Sequence, residues 1–275
     1  MTVIAMTREM GTRGKDVAAA LAGRLGIEVV HHELMERQLA ERLNLSESAV
    51  HRFLEGEASL WERWSIDPNR LSRFSCEEIL ELAKRGNVLI RGWGATQLLR
   101  DVTHVTCVRI CAPMADRISE MKRRLGIDDD ATVQSEIERN DEAHERTVRR
   151  QFRTDWRDAV GYDIVINTGS VPLETAVDLV AGLVTTEAYR ETEQSRTRLA
   201  DKLIAARVTT VLDKHLSSSP IGSGLDVEVE NGDVTIRGVV GSKLEYRSQL
   251  ATIEKIDGVR TLTDETVGLP VSYGV

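Results

Sequence analysis

Short apolar, β-rich runs recur along the first two thirds of the chain, at 2–6 (TVIAM), 27–30 (IEVV), 87–92 (NVLIRG), 104–111 (HVTCVRIC) and 162–167 (YDIVIN). Each has the length of a buried strand. Between them lie segments whose apolar residues fall at helical spacing, among them 14–26 (GKDVAAALAGRLG), 76–86 (CEEILELAKRG), 113–126 (PMADRISEMKRRLG) and 172–184 (PLETAVDLVAGLV). Alternation of this kind requires crossover connections, and so predicts an α/β fold with a parallel sheet between layers of helices. Ligands of such sheets bind at the carboxyl ends of the strands, where the loop at 8–15 leaves the first strand.

The pattern changes twice more. Between the second and third strands an insert, 33–86, reads as largely helical, with a turn signal at Asp67-Pro68-Asn69 and Trp61 and Trp64 spaced i, i+3 as on a core-facing stripe. After Val184 the chain turns polar without glycine or proline, which predicts a helical or semi-flexible linker, placed at 188–197. Beyond it a helix (199–216), two strands (225–230 and 234–240), a second helix (242–256) and a last strand (258–269) give the order α-β-β-α-β. Asn231-Gly232 between the two alternating strands signals a hairpin. The expected domains are therefore 1–187 and 198–270.

A chain of 275 residues has room for one large and one small domain, and 41% hydrophobic with 29% charged residues is ordinary for a soluble globular protein. The net charge of −8 gives no electrostatic case for nucleic acid or anionic membrane. Cations and carboxylates nearly balance in the C-terminal part, so membrane association by charge is not expected there either. No apolar run approaches the roughly 20 residues of a membrane span, and the N-terminus has no signal-peptide pattern, so a cytoplasmic location is expected. Three cysteines form no disulfide framework; Cys107 and Cys111, on one face of a strand, read as buried reduced thiols.

The candidate chemistry begins at 8–18 (REMGTRGKDVA). A glycine-rich turn between strand and helix offers free backbone N–H groups, the helix dipole adds positive potential, and Lys15 adds a charge. Against the G-x-x-x-x-G-K-[ST] pattern, Gly14 and Lys15 fit, Glu9 stands at the first glycine and Asp16 at the Mg²⁺-binding hydroxyl. Further on, Arg146, Arg150, Arg153 and Arg157 are spaced 4, 3 and 4, which puts four guanidinium groups on one helical face. Glu142 and Glu145 stand i, i+4 to Arg146 and Arg149, so a salt-bridged solvated helix and a phosphate-facing lid both fit this pattern. Asp141 is placed to orient an arginine of that segment or to be an ordinary surface acid. His31 and His32, adjacent on an extended segment, point to opposite sides and read as structural rather than as a shared metal site.

The first 185 or so residues resemble the cytidylate kinase-like family of P-loop proteins. The points of similarity are TREMGTRGKDVAAALAGRLGI at the start, VLIRGWGATQLLRD in the middle, VRICAPMADRI in the fourth strand and next helix, and YDIVINTG in the fifth strand. The resemblance implies a P-loop kinase-type parallel sheet and transfer of the γ-phosphoryl of ATP, with Mg²⁺, to a nucleoside monophosphate, CMP or dCMP in the best-known relatives. It implies that Gly11, Thr12, Arg13, Gly14, Lys15 and Asp16 hold the donor phosphates, with Asp16 at the metal. It further implies that Arg117, Arg146 and Arg149 are lid-type cations and that Arg91 and Asp141 serve the acceptor side. The chain departs from the family at His31-His32, where an acidic residue is common, and at Gly92-Trp93-Gly94, where a Gly-Arg-Gly turn is usual. It departs again at His144 and Thr147, where the long helix commonly has arginine and tyrosine.

Residues from about 198 to 270 resemble a BON domain, through LDVEVENGDVTIRGVVGS and IDGVRTL. Such modules are associated with phospholipid or other partners. The alternative function is therefore a catalytically weak or inactive kinase-like protein whose BON-like domain binds a lipid or protein partner. No sequence feature names the base that is read or the oligomeric state.

Overall fold

The computed structural model describes residues 1–31, 37, 40–41, 46, 48, 68–92, 94–216, 225–240 and 243–268. Trp61, Trp64, Trp93, His32 and Asp67 lie outside the described residues. The chain divides into two compact units, Met1–Ser195 and Arg196–Val275.

In the first unit, β1 (Val3–Arg8), β2 (Glu28–Val30), β3 (Val88–Arg91), β4 (Val105–Cys111) and β5 (Ile164–Asn167) form one sheet in the order β2-β3-β1-β4-β5. Every pairing is parallel, with Val3 opposite Val88 on one side and Val105 on the other. β1 runs two residues past the expected apolar run because Thr7 and Arg8 continue the ladder opposite Arg109 and Ile110. The helices are α1 (Gly14–Leu25), α2 (Pro68–Arg85), α3 (Ala95–Leu99), α4 (Met114–Leu125), α5 (Asp130–Phe152) and α6 (Leu173–Val184). Pro68 opens α2, a position where its missing N–H costs nothing, so the turn signal there is a helix start.

Alternate residues of β1 serve the two faces of the sheet. Ile4 and Met6 pack with Val17, Leu21, Val177 and Val180 of α1 and α6, fully or almost fully buried. Each such buried aliphatic side chain contributes about 1.5–3 kcal/mol. Five-residue α3, too short to show a period, is capped by Gly94, whose φ is +71°. A side chain there would collide with the Phe152 ring, which seats the end of α5 against this turn.

The second unit holds all but the first turn of α7 (Glu193–Leu216), then β6 (Asp226–Glu230), β7 (Asp233–Val240), α8 (Lys243–Ile253) and β8 (Thr261–Gly268), the expected α-β-β-α-β order. β6 pairs antiparallel and β7–β8 parallel. α7 starts at Glu193, inside the stretch expected as linker, because Thr192 and Ser195 cap it reciprocally, each backbone N–H donating to the other's hydroxyl at 3.0 and 3.1 Å. Its Asp201 carboxylate accepts the N–H groups of Asn231 and Gly232, both at 2.9 Å, and so anchors the hairpin turn. Among the described residues no helix is long and apolar enough to cross a membrane.

Candidate nucleotide site

The loop after β1 is shaped by two left-handed residues. Gly11 has φ +80°, and a Cβ there would stand 2.7 Å from the Arg117 carbonyl oxygen, so only glycine lets the loop lie this close to α4. Arg13, at φ +58°, caps α1, and the N–H groups of Asp16 and Val17 donate to its carbonyl at 2.9 and 3.1 Å. None of the N–H groups of Gly11 to Lys15 finds a backbone acceptor among the described residues. That is the donor set of an anion site at a helix N-terminus. Thr12 is buried, its hydroxyl donating to the Glu9 carbonyl at 2.7 Å, while the Thr168 hydroxyl donates to the Thr12 carbonyl at 2.6 Å. Lys15 is exposed and has no ion pair among the described residues. Arg13 and Asp16, both half-exposed, lie 3.6 Å apart. Beside the loop a cleft of about 160 Å³ is lined by Arg13, Val17 and the segment 168–173.

Beneath the loop the charges are buried. Glu9 accepts from Arg109 at 2.7 Å and lies 3.7 Å from Arg117, its side chain 13% exposed. Arg117 donates from Nε to the Met10 carbonyl at 2.7 Å and from one terminal nitrogen to both Asp141 oxygens at 2.8 and 2.7 Å. Burial pushes the Asp141 carboxyl above its ordinary range, and Arg117 opposes that shift. Met10 packs against Met121, Val133 and Ile137, so α4 and α5 hold the loop by apolar contact as well. Asp141 therefore does orient an arginine, but one from α4 rather than from its own helix. Arg117 is buried with its donors on loop and helix groups, whereas a lid cation would be free to swing.

On the face of β1 away from Ile4 and Met6, Trp156 is 1% exposed, and its indole N–H donates to the Thr7 hydroxyl at 2.9 Å. His144 stands edge-on to that ring, 4.4 Å between centroids, with Nε2 3.4 Å from the same hydroxyl. Burial, with Arg8 and Arg109 nearby, pushes its pKa down to about 4, so the ring is neutral at pH 7. The Arg109 guanidinium lies over Trp156 and Tyr162 at 5.1 and 5.8 Å, a cation–π arrangement. Burial raises the Tyr162 hydroxyl to about 12. Trp156 sits in a polar stretch of sequence with no apolar period around it, which is why pattern reading missed it. Cys107 is buried and Cys111 half-buried, both free thiols raised by burial.

The expected stripe of four arginines does not form. α5 ends at Phe152 and Arg153 turns left-handed, at φ +54°, so Arg153 and Arg157 leave the helical face. Arg146 pairs with Glu142 at 3.2 Å, Arg149 with Glu145 at 2.5 Å, and Arg157 reaches back to Glu145 at 3.7 Å. Both i, i+4 pairs are at the surface, and Arg150 is exposed. Thr147 turns its hydroxyl to the Ala143 carbonyl. Arg91 is buried at the end of β3, opposite Met6 and next to the loop strand. His31 is half-exposed just after β2.

A parallel sheet in the order 2-3-1-4-5, with a glycine loop and helix N-terminus after its central strand, defines a kinase-like nucleotide-binding fold of the P-loop type. Residues 3–170 match the model of the cytidylate kinase-like family, and the chain belongs to that family. Residues 200–267 match the BON domain. The chain is 24% identical over 174 residues to a cytidylate kinase from Sulfolobus acidocaldarius, covering 63% of this chain and 89% of the relative. A cytidylate kinase from Pyrobaculum aerophilum is 23% identical over 180 residues, with 64% and 89% covered. The fold is similar to that of an uncharacterized protein from Eubacterium ventriosum, with TM-score 0.53 and 20% identity over 68% of this chain and all of that one.

Proposed function

We propose that the first unit transfers the γ-phosphoryl of ATP to a nucleoside monophosphate, with CMP or dCMP as acceptor. The observation that carries this reading is the set of N–H groups from Gly11 to Lys15 that have no backbone acceptor among the described residues, beside an exposed Lys15 and at the carboxyl end of the sheet. Phosphoryl transfer asks for positioning and for charge around the moving group. The loop amides and Lys15 receive the donor phosphates, and the cleft beside Arg13 and Val17 is large enough to take part of the donor base. Arg146 and Arg149 supply closing cations by exchanging their glutamate partners for phosphate oxygens, an inexpensive exchange because both pairs are at the surface. Arg91, at the end of β3, stands on the acceptor side.

Asp16 fits Mg²⁺. It offers a hard carboxylate oxygen whose one ion pair among the described residues, to Arg13, is long at 3.6 Å, and Mg²⁺ usually takes one or two carboxylates together with substrate phosphates. Asp16 would hold the ion that neutralises the donor's phosphate charge.

The second reading, a nucleotide-binding regulator with little turnover, is favoured by Arg117, which is committed to Glu9, Met10 and Asp141 rather than to an open site. In either case the BON domain binds a protein or lipid partner. Its open sheet face carries exposed Asp226, Glu228, Glu230, Asp233 and Glu265, and its Arg237 is held by Glu228 at 2.6 Å and Glu265 at 2.7 Å. Such a face repels anionic headgroups. A cytoplasmic location is part of this reading, since its substrates are nucleotides.

The test is a coupled assay with ATP, Mg²⁺ and each of CMP, dCMP, UMP and AMP, run beside Lys15→Ala. The kinase reading expects turnover with a pyrimidine monophosphate that falls at least about a hundredfold in the variant. Nucleotide binding without turnover for any acceptor moves the conclusion to the regulator.

A further inference from the structure

We propose that Glu9, Arg117 and Asp141 form a positioning strut through which helix α5 sets the conformation of the phosphate loop; its effect on nucleotide rests on the reading above. The three side chains come from the loop, α4 and α5, and all are nearly buried, at 13%, 5% and 6% exposure. Each nitrogen of the Arg117 guanidinium faces a different anchor: Nε the Met10 carbonyl, one terminal nitrogen Glu9, the other Asp141. Two of those anchors are consecutive residues of the loop, immediately before Gly11. Glu9 is held from a second side by Arg109 of β4, at 2.7 Å, and from a third by the N–H of Ala112, at 3.4 Å.

The residue standing at the first glycine of the phosphate-loop pattern is thus a clamp. A glycine there leaves the loop's entry free to vary, whereas a carboxylate held by two arginines fixes it. Met10 adds a second link, its side chain lying in the apolar seam between α4 and α5 with Met121, Val133 and Ile137. Rotation of α5 moves Asp141, Asp141 carries Arg117, and Arg117 carries Glu9 and the Met10 carbonyl. Arg146 and Arg149 ride on the same helix, so the closing cations and the loop amides are held in register by one buried group. Arg117 is accordingly a positioning residue.

The experiment uses the full chain and reads hydrogen exchange within the segment 9–17, at the hydrogen-bonded N–H groups of Glu9, Asp16 and Val17, against that of β1 and β4, together with affinity for a fluorescent ATP analogue with Mg²⁺. Three changes are compared with wild type: Asp141→Asn, Glu9→Gln, and the paired Arg117→Met with Asp141→Leu. The pair removes both charges, so a folded protein is expected even where a single change unfolds it. Glu138→Gln, an exposed acid on the same helix that accepts from Gln134, serves as control. Exchange at 9–17 is expected to rise about tenfold in each folded variant, with nucleotide affinity down about tenfold and exchange in β1 and β4 unchanged. Wild-type exchange at 9–17 in a folded variant overturns the strut, as does an increase spread evenly over the sheet. If wild type itself fails to bind the analogue while the local exchange difference persists, the nucleotide reading falls and the strut stands. Normal binding in wild type with variants that exchange and bind like it gives the reverse.

Discussion

Two groups of charges surround the phosphate loop, and the same residue types do different work in each. Below the loop, Glu9, Arg109, Arg117 and Asp141 are buried, and each pair bridges elements far apart in sequence. Along the outer face of α5, Arg146 and Arg149 pair with glutamates one helical turn away, in solvent. A buried ion pair punishes the loss of one partner severely, because the survivor is left charged without compensation. An exposed i, i+4 pair gains little and gives little up when it opens. Burial, then, decides which arginines hold structure and which are free to meet a substrate.

The largest effect is expected at Arg117. Arg117→Ala leaves the Glu9 and Asp141 carboxylates buried in excess of their cations and is expected to destabilise the first unit by about 3–5 kcal/mol. Urea unfolding followed by tryptophan fluorescence measures this, since all four tryptophans lie in the first 195 residues and report on that unit. A loss below about 1 kcal/mol would mean that the cluster relaxes or hydrates, and the contrast between floor and rim would collapse.

What the sequence could reveal follows the range of each signal. The strand and helix alternation, the hairpin at Asn231-Gly232 and the glycine-lysine loop are local patterns, and the chain folds as they indicate. The floor of the site is not local. Glu9 and Arg117 meet only because β1 and β4 are neighbours in the sheet, and Arg117 and Asp141 only because α4 and α5 pack together. The misplaced arginine stripe has a different cause: α5 is stopped by Arg153 in a left-handed conformation, with no glycine or proline to announce it. For α7 the signal was present, since Thr192 and Ser195 stand at capping-box spacing, but serine in place of the usual Glu or Gln makes that box a weak pattern.

A smaller effect is expected at His144, which lies between the two groups. Its folded pKa of about 4 is depressed by burial, while the unfolded chain titrates near 6.5. The unfolded state therefore binds more protons over this range. Stability contributed by the neutral ring is complete above about 6.5 and is lost as pH falls toward about 4, with a slope of at most about 1.4 kcal/mol per pH unit. Urea unfolding at a series of pH values should show this slope, and His144→Gln should flatten it. An unchanged slope in the variant would remove His144 as the source of the acid sensitivity, and Asp141 could not replace it, because a carboxyl raised by burial contributes with the opposite sign.

The smallest effect on stability, and the most informative for function, is expected on the rim. Arg146→Ala and Arg149→Ala each remove one exposed pair and should change unfolding free energy by no more than about 0.5 kcal/mol. If these arginines close on the transferred phosphoryl, the same variants should lower kcat at least about tenfold, with little change in KM for ATP, because the interaction forms only as charge develops. Lost turnover with retained stability would make the rim catalytic and the floor positional. Unchanged turnover would leave Lys15, Arg13 and the loop amides as the machinery and reduce α5 to the support that carries Asp141. A large loss of stability from either variant would show that the glutamate pairs are structural after all, and the difference between buried and exposed arginines would no longer separate their roles.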